Sequence, residues 1–307
     1  MMNPAPLKTL SELVEDYLSE RLLRPATNKL YRDIARRFTE NTALCLIEEV
    51  NAAEVRKWRS AVLSRAKEES WNMYRRHMRA LWNHAIRHHS CTSNPFADTA
   101  PARAPKLRKK TVDSVDLQTV LRALRDTGDE GPYVRPTWFW SIVINTFYYS
   151  GIRRLQLVGL TWKDIDFDAA TIHLRATSSK THREWFIPIA QPLQPELENL
   201  YLLTTERLGR TPRGEEQVFN VTLFNDGFKG KTMTVDQLGA SFWRLSKATN
   251  IRISPHRLRH TMATELAASK DIRTLQELLG HTNISTTMQY VHPDMDRMRN
   301  LLETFSS

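Results

Sequence analysis

The sequence predicts a mainly α-helical protein with one small β-hairpin, divided into a helical N-terminal domain and a larger α+β domain. Three observations predict it. At 307 residues the chain is long for a single domain. Apolar residues recur at helical spacing through most of the first hundred residues and again from 236 onward. Strand-like alternation is confined to TIHLRA (171–176) and EWFIPIA (184–190). The expected boundaries are 1–100 for the helical domain, 101–112 for a basic linker, and 113–307 for the second domain with a C-terminal helix.

TLSE (9–12) is a capping-box pattern ahead of the periodic run LVEDYLSERLL. Pro25 is expected to end that helix, and Thr27 to cap a second over NKLYRDIARRF. A third helix is expected over AAEVRKWRSAVLSRA (52–66). In the fourth, 70–89, Trp71, Tyr74, Met78, Leu81, Trp82 and Ala85 fall on one face, with Arg75, Arg76, Arg79 and Asn83 on another. That basic face suits a groove or a line of phosphates, or simply solvent. NPFADTAPARAPKLRKKTVDS (94–114) lacks periodicity and reads as extended chain, in which Arg108, Lys109 and Lys110 could meet phosphates. DSVDLQTVLRAL then reopens helix. PTWFWSIVINTFYYS (136–150) is apolar on most faces and predicts a buried helix stopped by Gly151. The two strands flank SSKTHR, which puts Lys180 near the hairpin turn. Gly280 is a helix stop, and Asn283 caps a short helix that carries Tyr290.

Charge narrows the classes. Residues 1–110 hold 21 of the 44 Lys and Arg but only 12 of the 34 Asp and Glu, leaving 23 and 22 for the rest. A basic first third with a nearly neutral remainder suggests a polyanion-gripping module joined to something else. Cys45 and Cys91 lack metal-ligand spacing and can make at most one bridge, which fits a reducing compartment. The first eighteen residues show no basic segment followed by an apolar run, so no signal peptide is expected. The apolar stretch 138–152 is broken by Ser141, Asn145 and Thr146 and is too short to span a bilayer. A cytoplasmic protein with no membrane partner is the expectation.

Four stretches place cationic or proton-transferring groups beside turns and helix starts. SGIRR puts Arg153 just past Gly151, and SSKTHR supplies Lys180. SPHRLRH (254–260) follows a capping Ser254 and a first-turn Pro255, with His256 and Arg259 three apart. LLGHTNISTTMQYVH supplies His281 and, nine residues on, Tyr290. A zinc reading of His256 and His260 fails on chemistry: Arg257 stands where a glutamate base would, and no carboxylate or thiolate completes the set. No metal and no cofactor is expected. Phosphodiester transfer explains the combination better: arginines clamp the non-bridging oxygens, a nucleophile attacks from one side, and an acid protonates the oxygen leaving from the other. Tyrosine suits the nucleophile's task when the covalent product must be reversible, and lysine or histidine suits the acid's.

In order and spacing, Arg153, Lys180, His256 and Arg259 in HRLRH, His281 and Tyr290 resemble the active-site set of the tyrosine recombinase (phage-type integrase) family. The resemblance covers roughly residues 112–307, and the basic front region is similar to that family's helical, SAM-like core-binding domain. The resemblance implies that Tyr290 attacks the scissile phosphate to give a 3′-phosphotyrosine and a free 5′-hydroxyl. It implies that Arg153 and Arg259 stabilise the charge, Lys180 is the general acid, His256 assists proton transfer and His281 hydrogen-bonds the phosphate. No ATP is needed. The implied partners are double-stranded DNA recombination sites, further copies of the chain in a tetrameric synapse, and an accessory DNA-bending or directionality factor. A mobile-element or phage role and a nucleoid-associated location follow. Two positions depart from the family pattern: Gln156 replaces a usual glutamate, and Arg257 a frequent aspartate. A type IB topoisomerase-like nicking-closing enzyme and a non-catalytic DNA-binding regulator are the alternatives. In 294–305, Met295, Met298, Leu301, Leu302 and Phe305 form an apolar helical face that docks on a neighbouring subunit or packs on its own domain.

Overall fold

The computed structural model describes residues 8–105, 110–128, 134–176, 183–268, 271–291, 299 and 302–304. Lys180, Arg108 and Lys109 lie outside the described residues, as does the apolar face of 294–305 apart from Leu302. The chain forms two compact units, Met1–Leu107 and Arg108–Ser307. No helix among the described residues is long and apolar enough to cross a membrane.

The first unit has four helices: α1 (Leu10–Ser19), α2 (Pro25–Thr42), α3 (Ala52–Leu63) and α4 (Glu68–Arg87). Thr9 and Glu12 form the expected capping box at α1, each side chain bonding the other residue's backbone N–H at 3.2 and 2.8 Å. Pro25 does not separate two helices followed by a Thr27 cap. It occupies the first turn of α2 itself, where its missing N–H costs nothing, and Arg24 is the capping position. Phe38, Trp58, Trp71 and Trp82 meet in a fully buried aromatic core.

The stretch expected as extended linker behaves differently. Phe96 is fully buried against Phe38, Trp58 and Trp82, with ring centroids 5.0–6.2 Å apart. Asn72 on α4 pins Ala102 through both its amide groups, at 2.8 and 2.9 Å. Burying a ring of that size outweighs the absence of regular structure around it.

The second unit contains α5 (Ser114–Asp126), α6 (Thr137–Ser150), α7 (Arg154–Gly159), strands β1 (Ile165–Asp166), β2 (Thr171–Leu174) and β3 (Trp185–Pro188), then α8 (Gln194–Leu208), α9 (Val235–Thr249), α10 (Pro255–Ala267), α11 (Ile272–Leu279) and α12 (Ile284–Thr287). Val112 already belongs to its core, and its backbone bonds the Thr261 hydroxyl. The strands form one antiparallel sheet in the order β1-β2-β3. In its register Ile172 faces Ile187 and Leu174 faces Trp185, all four buried, while Phe186 points outward. α6 is buried on most faces, as its composition predicts, and packs against α10. The sequence leaves 191–235 without an element. There Pro195 sits in the first turn of α8, whose inward face is only Leu197, Leu200 and Thr204, a stripe too narrow to stand out by periodicity.

α11 ends on Gly280, whose φ of 59° lies in the left-handed region. A Cβ there would run into the ring of Trp185, whose indole N–H donates to the Leu278 carbonyl at 3.3 Å. Gly209, which ends α8 at φ 66°, has open space around it. Gly280→Ala is therefore expected to cost roughly 3 kcal/mol, combining backbone strain and overpacking, and Gly209→Ala only about 1 kcal/mol. Urea denaturation of both variants measures the difference; equal losses would show that the Trp185 ring does not constrain the turn.

Candidate active site

Local rules aim the site. Ser254 accepts the backbone N–H of Arg257 at 3.3 Å and Pro255 fills the first turn, which starts α10 so that Arg259 points inward. Arg259 is 4% exposed. Its guanidinium donates to the carbonyl of Gly151, to that of Leu279 at 2.8 Å, and to Nε2 of His281 at 3.1 Å. These carbonyls lie at the C-terminal ends of α6 and α11, where unpaired oxygens and the negative ends of two helix dipoles favour a cation. Burial, and then Arg153, hold its pKa below the usual arginine value, yet it remains charged at neutral pH.

Arg153 occupies the capping position of α7, directly after the left-handed Gly151. The buried Gln156 accepts the backbone N–H of Arg153 through Oε1 at 2.8 Å. The amide thus supports the arginine's backbone rather than its side chain. Gln156 Nε2 and one guanidinium nitrogen of Arg153 are buried with no hydrogen-bond partner among the described residues. A buried guanidinium donor left open in this way is what an anionic oxygen would satisfy.

Tyr290 sits on a single 3-10 turn, Met288–Tyr290, after α12 and its Asn283 cap. It is 4% exposed and packs with Met262, Ala263 and Leu279, so it is a core aromatic as well as an aimed one. Its hydroxyl lies 3.0 Å from Nδ1 of His260. Burial raises its pKa, while Arg259 and Arg153 pull in the opposite direction without cancelling the effect. The phenol is therefore protonated at neutral pH and lies within the field of two guanidiniums.

His281 is 6% exposed, and its ring lies parallel to Tyr290 at 6.3 Å. Because a guanidinium can only donate, Nε2 accepts from Arg259, and Nδ1–H then donates to the Thr287 hydroxyl at 3.0 Å. Burial and the two arginines push its pKa down to about 4, which keeps the ring neutral. Both nitrogens are thus engaged with protein. Through Nε2, His281 holds the Arg259 guanidinium in place. His256 differs again. It is exposed on the first turn of α10, with its ring stacked 5.9 Å from that of His260.

The structure therefore brings Arg153, Arg259, His281 and Tyr290 together and puts His256 at the rim. His260 is the participant that sequence reasoning missed. In the sequence it stands out only as a zinc partner for His256, although α10 places it one turn beyond that residue and against the tyrosine. Among the described residues, the group whose ligand atoms lie close enough to share an ion is elsewhere. It is Glu20, His84 and His88 in the first unit, where Glu20 bridges the two histidines at 3.6 and 3.2 Å.

The basic residues expected on α4 divide. Arg76 and Arg79 are exposed. Arg75 is partly buried and donates to the carbonyls of Thr99 and Ala97, the latter at 3.1 Å, so its guanidinium secures the segment after α4. Lys110 is exposed.

The chain resembles known proteins in sequence and in fold. Residues 135–297, over half the chain, match the phage integrase family. The chain is 36% identical to a putative tyrosine recombinase XerC of Pseudomonas syringae, over 96% of this chain and 63% of that one. It therefore spans somewhat under two thirds of that relative's length. It is also 36% identical to a putative tyrosine recombinase XerC of Pseudomonas aeruginosa, over 97% of this chain and 72% of the relative. In fold it resembles a protomer of the lambda integrase tetramer bound to a Holliday junction, with a TM-score of 0.73 at 18% identity over 94% of this chain and 78% of that one. An inward arginine seated on two helix ends, and beside it a buried tyrosine, are thus set in a sequence and a fold of one kind: the chain belongs to the phage integrase family of tyrosine recombinases.

Proposed function

We propose that this protein cleaves and rejoins double-stranded DNA at specific recombination sites through a 3′-phosphotyrosine on Tyr290. The observation that supports this most is one buried phenol hydroxyl lying in the field of Arg259 and Arg153, the latter with a buried donor left open. A scissile phosphate seated there receives bidentate donors on its non-bridging oxygens as charge develops. Tyr290 attacks the phosphorus, and the 5′-oxygen leaves. Lys180 protonates that oxygen and the rim histidine His256 assists; these two roles rest on the family resemblance. Because the phosphodiester energy is kept in the phosphotyrosine, the reverse attack by a 5′-hydroxyl rejoins DNA without ATP. The likeness to an integrase tetramer on a Holliday junction supports assembly of four protomers on paired sites. A role in a mobile element or phage, assistance from an accessory DNA-bending factor, and residence at the nucleoid complete the reading. Family membership favours it over a topoisomerase-like enzyme, and the full set of charged groups favours it over a non-catalytic regulator.

The test uses a library of randomised duplexes, each nicked so that a cleaved strand end diffuses away. Incubation in EDTA without ATP, followed by SDS, is expected to retain a subset of sequences as covalent adducts, since the charge clamp is made of guanidiniums. Sequence-selective binding with no adduct from any library member would favour the regulator instead.

Arg76 and Arg79 are proposed to meet phosphates. Changing both to alanine is expected to weaken binding and to reduce the slope of log K against log salt by about 2, one for each phosphate no longer neutralised. Arg75→Ala should instead lower the stability of the first unit, because its partners are carbonyls. An unchanged salt slope in the double variant would make Arg76 and Arg79 ordinary solvated charges.

A further inference from the structure

Arg153, Arg259, His281 and His256 leave the removal of the Tyr290 proton without an agent. The phenol is neutral in the resting site, since burial outweighs the pull of two guanidiniums on its ionisation. Arginines donate and cannot accept the proton. His281 is adjacent, but Nε2 is occupied by Arg259 and Nδ1 by Thr287. His256 stands at the rim. Among the described residues, the group placed to accept the hydroxyl's proton is Nδ1 of His260, 3.0 Å away, with the two rings 5.5 Å apart. His260 is fixed by its place on α10: it follows Arg259 in sequence, so one helix carries both the charge clamp and the acceptor. For the phenol O–H to donate to Nδ1, the ring must be neutral with its proton on Nε2.

Resting on the recombinase reading, we propose that His260 is the general base that takes the Tyr290 proton during strand cleavage and returns it during rejoining. As the Tyr290 oxygen–phosphorus bond forms, the phenol proton passes to His260 Nδ1, and the phosphorus–O5′ bond breaks with its electron pair on O5′. A separate acid, Lys180 in the family reading, supplies the proton for O5′. The imidazolium gains one positive charge as the transferring group becomes one unit more negative, so the site's net charge is conserved. In the reverse direction a 5′-hydroxyl attacks, the phenolate leaves, and His260 reprotonates it. The transfer between Tyr290 and His260 spans a hydrogen-bond distance of 3.0 Å, the geometry general acid–base catalysis requires.

The test is single-turnover cleavage of a duplex recovered from the adduct library, with wild type, His260→Ala and His260→Asn. Each is run on ordinary DNA and on DNA whose scissile O5′ is replaced by sulfur, a leaving group that needs no proton. His260→Ala is expected to slow cleavage at least about 100-fold, the lower end for loss of a general base. Added imidazole should restore part of the rate, and the sulfur substrate should not. His260→Asn, which keeps a hydrogen-bonding group without basicity, should be as slow as alanine. Full rate in the asparagine variant would reduce His260 to a positioning residue. Rescue by sulfur rather than imidazole would assign it to the leaving group. Either outcome overturns the proposal. Unchanged binding of the duplex by each variant confirms that it is folded. Absence of any adduct with wild type would instead overturn the recombinase reading on which the proposal rests.

Discussion

Tyr290→Phe is expected to bind its DNA site within about threefold of wild type and to form no covalent adduct, the cleavage rate falling about 10⁵-fold or more as for removal of other enzyme nucleophiles. The substitution removes one oxygen and keeps the ring. The packing with Met262, Ala263 and Leu279 therefore survives, and the stability cost is that of a missing buried hydrogen-bonding group, about 1–2 kcal/mol. A folded, DNA-binding and inert protein is the expected product. Gel-shift titration and SDS-resistant adduct formation check the two halves. An adduct that persists in the phenylalanine variant would remove Tyr290 from the chemistry.

Arg259→Ala is the second large effect, and it should act on rate and stability together. The guanidinium bonds the carbonyls of Gly151 and Leu279 and the ring of His281, joining the ends of α6 and α11. Truncation leaves three buried acceptors unpaired and a cavity, a loss of roughly 3 kcal/mol or more. It also removes a preorganised donor from the phosphate, about 10³-fold in cleavage rate. Arg259→Lys separates the two roles. A single ammonium can pair with one carbonyl and keep the charge, but it cannot present a planar fork. Lysine should thus recover part of the stability, read by urea denaturation, and little of the rate. Recovery of the full rate would mean that charge alone, without bidentate geometry, suffices.

Much of the site's placement was legible because it is written in local signals. Ser254 and Pro255 mark the start of α10, Gly151 and Gly280 the ends of α6 and α11, and Asn283 the cap of α12, all as observed. These depend only on a residue's own conformational preference and its neighbours within one turn. Signals that admit two meanings mislead: a proline that stops one helix also starts another, and Pro25 does the latter. Long-range packing was not legible. Nothing within a turn of Phe96 announces a core that α2, α3 and α4 assemble, and nothing near Arg75 announces the carbonyls of Ala97 and Thr99. The same limit hid His260. Its partner lies 30 positions away, and only the packing of α10 against the turn that carries Tyr290 brings them together.

The central claim is a bond between one tyrosine oxygen and the 3′ end of a cleaved strand. Tryptic digestion after Arg273 and Arg297 releases peptide 274–297, in which Tyr290 is the one tyrosine. Mass spectrometry of the nuclease-trimmed adduct should find a 3′-nucleotide remnant on this peptide, with fragment ions that place it on residue 290. A remnant on any other peptide, or cleaved DNA whose 3′ ends are free of protein, would contradict the account.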